Sequence, residues 1–498
     1  MDCDLLVVGS GGGALTGAYT AAAGGLRVTV LEKTAVFGGT SAYSGGGLFL
    51  PGNAAEERAG VADSVARGRT YLRSLFGTLD RRQEAYLATA PELVAFLEQD
   101  PAIEFRYYGF PDYFAVEGRL PGGGHIVPVP LAGADLGDDL LARLRPTIAA
   151  ERCGLDVPRE RLGGGQALIG RLLLALRATG NADLRTGTGV DRLIVQDGRV
   201  TGAAAGDREF RAAAVLLACG GFEGSDRLRR GFGVPGSAAR TMGPRGTNTG
   251  EALEAAVAIG AATALTDDAW WCPALVQPDG SGAFFLGLRG GIFVDGDGER
   301  FANESLPYDR MGRALAAGPG ECWYVFDSRE GGNLPAINCV PGTTTEQYLA
   351  SGAWAREETL ADLAQRMAVP ARALQRTVER FNAFAAAGTD AQFSRGEDEY
   401  DRYFAAPDGG PNPCLVPLDR PPYYGARVVL GDLGTKGGLV TDADARVLRA
   451  DGSPIEGLYA AGNTSASIMG RFYPAPGSPI GTAMVFAYRA ARHVAASR

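Results

Sequence analysis

The segment from Asp4 to Glu32 constrains the fold more than any other part of this chain, because it reads as one complete βαβ unit, DLLVVGSGGGALTGAYTAAAGGLRVTVLE. Leu5 to Val8 form a short apolar run typical of a buried parallel strand, and Val28 to Leu31 form a second one. The stretch between them predicts the helix that joins two parallel strands. The unit therefore predicts an α/β protein.

The turn between the first strand and the helix carries the pattern G-x-G-x-x-A in Gly9, Gly11 and Ala14. Glycines there let the backbone approach a pyrophosphate, and the helix that follows points the positive end of its dipole at that anion. Glu32 ends the second strand about twenty residues further on, where a carboxylate can accept ribose hydroxyls. Because all these parts occur in register, the unit predicts binding of a dinucleotide.

A chain of 498 residues with 46% hydrophobic content can bury a large core, and its length predicts about two to three domains. The formal net charge of -9 argues against nucleic acid as the main partner. Seven cysteines occur without a C-x-x-C pair, and His125 and His493 are the only histidines. We therefore expect reduced thiols and no metal site.

The beginning of the sequence bears on its compartment. The first predicted strand starts at residue 4, which leaves no room for a charged leader and an apolar signal core. No apolar run is long enough to span a bilayer. We therefore expect a cytoplasmic protein without an integral membrane segment.

The segments up to about residue 268 continue the α/β pattern. A loop rich in glycine and hydroxyl groups, from Phe37 to Gly47, suits a second wrap around a cofactor. Apolar spacing predicts helices from Asp63 to Glu98 and from Gly165 to Thr179. Leu184 to Val200 predicts two strands around an Asp-Gly turn, and Val215 to Cys219 predicts a buried parallel strand.

The character of the sequence changes between about residues 269 and 435, where proline, aromatic and loop-like segments surround one helical patch from Glu357 to Ala387. The earlier pattern returns in Gly457 to Asn463 and in an apolar helix predicted from Ile480 to Ala496. We therefore predict a discontinuous dinucleotide-binding domain of residues 1–268 and 436–498, with an inserted α+β domain of residues 269–435.

Four segments, in this order and at these separations, resemble one superfamily: VVGSGGGALTGAYTAAAGGLRVTVLEK, FGGTSAYSGG, LLACGGFEG and GLYAAGN. They look like the FAD domain of the fumarate reductase and 3-ketosteroid dehydrogenase superfamily, over essentially the whole chain. The resemblance implies a Rossmann-like FAD-binding domain and an inserted substrate cap. The residues that it assigns to FAD are Gly9, Gly11, Gly12, Gly13, Ala14, Glu32, Lys33, Gly39, Thr40, Ser41, Gly45, Gly46, Val190, Ala218, Gly220, Gly462, Asn463, Ser478 and Ile480.

Three tyrosines narrow the resemblance further. The segments around Tyr308, in NESLPY, and Tyr473, in YPAPG, resemble those that carry catalytic tyrosines in 3-ketosteroid 1-dehydrogenases, and FPDY at Tyr113 resembles that family's supporting segment. The stretch GDLGTKGG, from Gly431 to Gly438, strengthens the match. With two histidines in the chain, a histidine and arginine clamp for a dicarboxylate is not expected.

The resemblance implies a separate role for each of these residues in forming a C1=C2 double bond beside a ketone. The Tyr473 hydroxyl and the Gly477 N–H would donate to the ketone oxygen and stabilise the forming enolate. Tyr308 would take the C2 proton, and because an ordinary phenol is a poor base, something should lower its pKa or relay its proton. Tyr113, hydrogen bonded to Tyr308, could relay the proton. The hydride from C1 would pass to the flavin, and a quinone or another acceptor would reoxidise it.

Several side chains have competing interpretations. Phe110 and Phe284 are predicted to line a steroid pocket, with Trp271 and Phe285 as further candidates, although all four could be core residues. His125 is expected at the surface or in a loop, and Asn303 and Glu304 are expected to hold a turn. Lys436 is predicted either at a solvated surface or, alternatively, as a contact for an acidic group on the substrate side chain.

Three alternative functions remain open at this point. One is desaturation of a 3-ketosteroid at C4 and C5, although the Tyr-Pro-x-Pro-Gly spacing argues against it. Another is reduction of an activated alkene by a flavin fed from an external donor. A third is a flavin-binding protein without turnover, for which three tyrosines in catalytic contexts would have no use.

Overall fold

A computed structural model describes residues 2–284, 286–288, 290–330, 342–405 and 410–497. The chain forms two compact units. The first unit comprises Met1–Val234, Gly243–Ala269 and Gly434–Arg498, and the second comprises Pro235–Met242 and Trp270–Leu433.

The first unit is built on a parallel sheet with short antiparallel additions. Its strands are β1 (Cys3–Val8), β2 (Val28–Leu31), β3 (Phe105–Tyr107), β4 (Ile126–Pro128), β5 (Leu131–Ala132), β6 (Arg161–Leu162), β7 (Ala182–Arg185), β8 (Arg192–Gln196), β9 (Arg199–Ala205), β10 (Arg208–Leu217), β11 (Thr263–Ala264), β18 (Gly438–Leu439), β19 (Arg446–Leu448) and β20 (Pro454–Ala460). Five of them, β20, β10, β1, β2 and β7, lie side by side and run parallel. Every residue of β1 is buried, as a parallel strand covered on both faces requires.

The parallel strands end level with one another. Val8 pairs with Leu31 on one side and Leu217 on the other, and Leu217 pairs with Ala460. These are the last residues of β1, β2, β10 and β20. Loops after four strands therefore converge at one edge of the sheet, which is where open α/β sheets bind their ligands.

Among the described residues, ten helices belong to the first unit. They are α1 (Gly12–Ala23), α2 (Ala54–Arg58), α3 (Val65–Phe76), α4 (Arg81–Leu97), α5 (Gly137–Arg143), α6 (Ile148–Cys153), α7 (Gly164–Ala178), α8 (Asp226–Phe232), α9 (Glu251–Val257) and α15 (Ser478–Ala496). Helices α1 and α15 pack on the parallel sheet of this unit. Helix α4 begins with a capping box in which Asp80 and Gln83 satisfy each other's backbone N–H groups.

Small residues on α1 let α15 pack closely beside it. A Cβ atom on Gly13 would lie 2.9 Å from the Ala483 carbonyl oxygen, and one on Gly17 would lie 2.6 Å from a methyl group of Leu216. Since real Cβ contacts are longer, a larger side chain at either position would displace its neighbours, which at Gly13 include the backbone of α15. The glycines of α1 thus serve helix packing as well as the turn before it.

The second unit contains a mixed set of strands and helices. Its strands are β12 (Ala269–Val276), β13 (Gly282–Phe284), β14 (Ile292–Val294), β15 (Glu321–Phe326), β16 (Trp354–Glu357) and β17 (Tyr423–Thr435), in the order β13-β12-β17-β15-β14, with β16 also paired to β17. Its helices are α10 (Tyr308–Ala317), α11 (Thr345–Ser351), α12 (Leu360–Met367), α13 (Ala371–Ala387) and α14 (Glu399–Tyr403). Helices α12 and α13 bury Leu363, Leu374 and Phe381 against Val325 of β15.

The helix patterns of the first unit are confirmed by α1, α3, α4, α7 and α15. The predicted hairpin is confirmed at its turn, where Asp197 and Gly198 have φ of 52° and 77° and join β8 to β9. Its predicted start was wrong, because Leu184 belongs to β7 and pairs with β2. The predicted strand from Val215 is part of β10, which begins earlier at Arg208.

The helical patch predicted in the second unit is also corrected. It is two helices rather than one, because Pro370 follows α12 after Ala368 in a left-handed conformation with φ of 57°. A proline disfavours the helical conformation of the residue before it, and Pro370 then serves as the N-cap of α13. Glu357, the predicted first residue, ends strand β16.

The structure also bears on the state of the cysteines and on membrane-spanning helices. Six cysteines carry free thiols, as predicted, and Cys339 lies outside the described residues. In the described ranges, no helix combines the length and the apolar character needed to cross a membrane.

Candidate active site

The glycine turn after β1 forms a narrow cradle. Gly9 has φ of +104°, and a Cβ atom there would lie 2.4 Å from the carbonyl oxygen of Ala218. Gly11 precedes α1 without a side-chain cap, and the Gly12 N–H donates to the hydroxyl of Ser41 over 3.1 Å. The first turn of α1 therefore presents backbone donors that no side chain of its N-cap covers, which suits a phosphate group.

Glu32 lies directly after β2 at the same edge of the sheet and is largely buried. One carboxylate oxygen accepts from the Ser10 hydroxyl at 2.5 Å, and the other accepts from the Thr34 N–H at 2.8 Å. Because each carboxylate oxygen can accept more than one hydrogen bond, Glu32 is oriented and can still accept ribose hydroxyls. Lys33 is held nearby in an ion pair with Glu251 at 2.6 Å.

Most other residues predicted to hold the cofactor belong to loops at this edge. Gly39, Thr40 and Ser41 form part of a 3₁₀ helix over Gly39–Tyr43, while Gly462 and Asn463 form another over Gly462–Thr464. Ala218 and Gly220 follow β10, and Gly220 has φ of +86°. The cradle tolerates no Cβ atom at Gly9 and has an acid at the next strand end, so it fits a dinucleotide.

Three further candidates lie in different settings. Gly13 faces Ala483 of α15, and Val190 is buried just before β8. Ile480, in the first turn of α15, approaches the glycine turn, because a Cβ atom on Gly12 would lie 3.1 Å from its methyl group. The N-terminal end of α15 therefore lies close to the start of α1.

Helix α15 begins at a tight backbone contact. Gly477, its N-cap, has φ of +82°, and a Cβ atom there would lie 2.3 Å from the carbonyl carbon of Gly47. The Gly477 N–H has no hydrogen-bond acceptor among the described residues. Only glycine can adopt this conformation at such a short distance, and the arrangement leaves its amide available to a ligand.

Tyr113 and Tyr473 lie against each other in the first unit. Their ring centroids are 5.2 Å apart with the rings inclined by 61°. The Tyr113 N–H donates to the Pro474 carbonyl at 2.9 Å, and the hydroxyl of buried Tyr71 donates to the same carbonyl at 2.7 Å. Tyr71 also accepts from the Phe114 N–H at 3.2 Å and so joins both segments.

Sequence reasoning missed Tyr71, because a tyrosine on an amphipathic helix is usually a packing residue. The loop before Tyr113 is braced by Asp112, whose carboxylate accepts from the N–H groups of Leu120 and Gly124. Burial raises the pKa of Asp112 to about 6, and the positive charge of Arg67 opposes that rise. The ring of Phe110, a predicted pocket residue, lies 6.4 Å from that of Tyr113.

The surface position considered for His125 was wrong, since only 4% of the residue is exposed. It does lie in a loop, directly before β4, with the rings of Tyr108 and Phe110 at 5.5 and 6.0 Å. Burial lowers the pKa of His125 to about 4, so the imidazole is neutral at neutral pH. A neutral imidazole does not provide the cation that a dicarboxylate clamp requires.

The solvated position predicted for Lys436 was also wrong, because the residue is 0% exposed. Its ammonium donates to the carbonyl oxygen of Phe472 over 2.7 Å. Backbone hydrogen bonds to Asp268 and from Ser467 fix Lys436 itself. The glycine-rich loop turns this side chain inward, which its polar composition did not indicate.

In the second unit, Tyr308 is the first residue of α10 and is nearly buried. The ring of Phe284 meets it edge to face, with centroids 5.0 Å apart and an angle of 88°. Leu286, Leu288 and Phe404 line a small cavity with Tyr308. Phe285, another predicted pocket residue, lies outside the described residues.

A fully buried ion cluster holds the segment that leads to Tyr308. Glu304 contacts Arg300 at 2.8 Å and Arg395 at 3.1 Å, and Arg300 also contacts Asp390 at 2.8 Å. As predicted for a turn residue, the Asn303 side chain accepts from the Ser305 N–H. Ion pairs shielded from water in this way fix the segment firmly.

The candidate catalytic residues are thus divided between the units. Tyr113, Tyr473 and Gly477 belong to the first unit, where the structure brings the two tyrosine rings together. Tyr308 and Phe284 belong to the second unit, where their rings are in contact.

Comparisons with known proteins identify the family to which this chain belongs. Residues 4–480 match the family described as FAD binding domain. A 3-oxosteroid 1-dehydrogenase from Rhodococcus opacus is 42% identical, over 99% of this chain and 99% of that protein. A 4-oxocyclohexanecarboxylate 2-dehydrogenase from Sinomonas cyclohexanicum is 37% identical, over 99% of this chain and 92% of that protein.

A solved structure agrees with these relatives. The 3-ketosteroid Δ1-dehydrogenase from Sterolibacterium denitrificans, in complex with 1,4-androstadiene-3,17-dione, superposes with a TM-score of 0.90 at 34% identity, and the match covers 100% of both chains. The fold is therefore that of FAD-binding oxidoreductases, and FAD is the dinucleotide that the cradle at Gly9 and Glu32 fits. The chain belongs to the 3-ketosteroid 1-dehydrogenase family.

Proposed function

We propose that this protein dehydrogenates a 3-ketosteroid between C1 and C2. The observation that carries the proposal is the junction at Pro474, where Tyr113 and Tyr473 meet a few residues before the Gly477 amide, whose N–H makes no hydrogen bond within the described residues. The R. opacus and S. denitrificans proteins support it, because they share this fold over their full length and bear the name of that activity.

Removal of a proton beside a ketone requires that the ketone oxygen be polarised as charge develops. We assign this role to the Tyr473 hydroxyl and the Gly477 N–H, which together form an oxyanion hole. Pro474 and Pro476 limit the conformations of the chain between these two donors. The open N–H of Gly477 supports the assignment, since a donor already bonded within the protein could not serve a substrate.

We assign the role of general base to Tyr308, which would take the proton from C2. A phenol with an ordinary pKa near 10 is a weak base at neutral pH, so its charged form needs support. Tyr308 begins α10, where the helix dipole favours negative charge, and Tyr113 is the predicted partner for relay of the proton. Bound FAD supplies the acceptor for the hydride that leaves C1.

The remaining parts of the proposal concern the surroundings of the reaction. The first unit is proposed to be a discontinuous Rossmann-like FAD-binding domain, and the second a substrate-binding cap. Phe110 and Phe284 are proposed to contact the steroid, since each packs against a candidate catalytic tyrosine. A quinone or another acceptor would reoxidise the flavin of a cytoplasmic enzyme.

Anaerobic mixing of the holoenzyme with 4-androstene-3,17-dione tests the proposal. The expected result is bleaching of the flavin absorbance and formation of 1,4-androstadiene-3,17-dione, identified by mass spectrometry. Desaturation at C4 and C5 would instead require a 4,5-saturated substrate, which is supplied in a parallel reaction. Absence of bleaching with every 3-ketosteroid would contradict the proposal and favour alkene reduction or binding without turnover.

A second candidate substrate class is a monocyclic 4-oxo carboxylic acid. The observation that favours it is the 37% identity to the S. cyclohexanicum protein, whose name refers to 4-oxocyclohexanecarboxylate. The chemistry would be the same, loss of hydrogen beside a ketone, but the small acid would need a cation in its pocket. Comparison of kcat/KM for the steroid and for 4-oxocyclohexanecarboxylate distinguishes the two classes.

A further inference from the structure

A lysine with no exposed surface is rare, because removal of an ammonium from water is unfavourable unless the charge finds partners. Lys436 occupies such a position, 0% exposed, in the glycine-rich loop after β17. The proposed reaction gives this residue no role. Its place in the structure therefore needs a separate explanation.

A hydrogen bond of the Lys436 side chain indicates the role of this residue. Its ammonium donates to the Phe472 carbonyl at 2.7 Å, the short distance expected when the donor carries a charge. That carbonyl belongs to the peptide group that enters Tyr473. Lys436 cannot withdraw easily, because its own N–H donates to Asp268 at 2.9 Å and its carbonyl accepts from Ser467 at 3.0 Å.

The carbonyl group of Pro474, on the other side of Tyr473, is also held by hydrogen bonds. The Pro474 carbonyl accepts from the buried Tyr71 hydroxyl at 2.7 Å and from the Tyr113 N–H at 2.9 Å. The carbonyl groups of Phe472 and Pro474, the two neighbours of Tyr473 in the chain, therefore both accept hydrogen bonds from other segments. These bonds restrict rotation of the backbone on both sides of Tyr473.

We propose that Lys436 and Tyr71 are positioning residues that form a clamp on the two carbonyls flanking Tyr473, and so aim its hydroxyl at the ketone of the substrate. Neither side chain touches the reacting atoms. Errors of about 1 Å in the placement of a catalytic group can cost a hundredfold in rate, which gives such a clamp a measurable effect. The inference rests on the proposed function, because it assigns a purpose to the placement of Tyr473.

The clamp also bears on how Lys436 could relate to substrates. An ammonium already bonded to a backbone carbonyl and withdrawn from solvent is poorly suited to meet a carboxylate on a substrate side chain. Selection between acidic and neutral ketones is therefore expected to depend on other residues. The Lys436→Met variant should lower kcat/KM for both kinds of ketone by a similar factor.

The main test compares Lys436→Met and Tyr71→Phe holoenzymes with wild type on 4-androstene-3,17-dione. Each variant is expected to lower kcat/KM by about tenfold to a hundredfold. The informative readout is the deuterium isotope effect on kcat/KM, measured separately for substrate labelled at C2 and at C1. Poorer polarisation of the ketone makes proton removal more rate-limiting, so the C2 effect should rise without a matching rise at C1.

This readout separates positioning from general structural damage. A variant that merely leaves fewer folded molecules loses rate while both isotope effects stay at the wild-type values. Tyr71→Phe removes a single hydroxyl and serves as the second variant if Lys436→Met does not fold. The double variant should show less than the product of the two single losses, because both donors fix the same residue.

Glu456→Gln is the matched control. Glu456 lies on β20 of the same unit, and its exposed side chain forms an ion pair with Arg199 at 3.6 Å. Removal of such a surface pair should leave kcat/KM within twofold of wild type.

Two outcomes would overturn the clamp while the proposed function stands. One is an active wild type with both Lys436→Met and Tyr71→Phe within twofold of it, and the other is a loss of rate with unchanged isotope effects. A wild-type holoenzyme that dehydrogenates no 3-ketosteroid overturns the proposed function, and the clamp falls with it.

Discussion

Tyr473 and Tyr308 lie on segments that the protein holds by different kinds of interaction. The segment of Tyr473 is fixed through its backbone, since Lys436 and Tyr71 each donate one hydrogen bond to a flanking carbonyl. The segment before Tyr308 is fixed through a side chain, because Glu304 lies in a buried cluster of two arginines and two acids.

The difference determines what a substitution would damage. Removal of one donor to a backbone carbonyl costs about 1 to 3 kcal/mol and leaves the rest of the contacts in place. Removal of one member of a buried ion cluster leaves a charge without its partner, at a cost of about 3 to 5 kcal/mol. We therefore expect substitutions around Tyr473 to alter catalysis first, and substitutions around Glu304 to alter stability first.

The largest effect is expected for Tyr308→Phe, which removes the proposed base and leaves the ion cluster intact. Loss of general base catalysis should lower kcat by about 100-fold to 10,000-fold. The absorbance spectrum of bound FAD and the melting temperature should match the wild type, because the ring and its contact with Phe284 remain. Retention of activity within tenfold would remove Tyr308 from the role of base.

Glu304→Gln breaks the ion cluster and tests whether the segment before Tyr308 depends on it for stability. We expect the free energy of unfolding to fall by about 3 to 5 kcal/mol, because Arg300 and Arg395 lose their shared carboxylate. The measurement is chemical denaturation followed by circular dichroism. Glu299→Gln is the matched control, since its pair with Arg380 is at the surface and should contribute less than about 1 kcal/mol. Equal losses in the two variants would contradict the special role of the cluster.

Tyr473→Phe removes the proposed side-chain donor to the ketone without breaking either flanking carbonyl bond. Loss of one donor from an oxyanion hole should lower kcat/KM by about 100-fold to 1,000-fold. Binding of the ketone should weaken as well, which titration of the flavin absorbance with the dienone product would measure. Wild-type kinetics and affinity in this variant would exclude Tyr473 from the oxyanion site.

A fall in pH should lower the stability of the first unit through His125, which packs beside the loop of Tyr113. The folded protein keeps this imidazole neutral until the pH falls to about 4, whereas in the unfolded chain it binds a proton near its ordinary pKa of 6.5. Its contribution to stability is complete above pH 6.5 and declines as the pH falls from 6.5 to 4, by up to roughly 3 kcal/mol. His125→Gln should flatten this part of the stability profile. An identical slope in wild type and variant would contradict the neutral, buried state.

Local sequence patterns were sufficient for much of the first unit. The turn at Gly9, the end of β2 at Glu32 and the Asp197 turn each depend on a few neighbouring residues whose backbone preferences act in any context. The start of α15 was also predictable, because proline is favoured in the first helical turn. Where the structure of a segment is set by its own residues, the prediction holds.

The errors occur where distant segments determine the environment of a residue. Lys436 and His125 are polar residues beside glycines, and only the packing of other loops makes them buried. Leu184 joins β7 because a partner is available on β2, which no pattern within the segment reveals. Tyr71 could have been suspected only from its hydroxyl, since its helical spacing is that of a core residue.

The assembly of the parallel sheet has a consequence for how this chain folds. Strand β10 pairs with β20, and the Cys219 N–H bonds to a hydroxyl of Thr464, 245 residues further along the chain. The sheet that contains the βαβ unit at the start of the chain is therefore complete only after β20 has paired with β10. Contacts of such long sequence separation form slowly, because a long loop has to close first. During synthesis, most of the chain will leave the ribosome before the sheet edge proposed to hold FAD is complete, so we expect FAD binding to require the segment around Thr464.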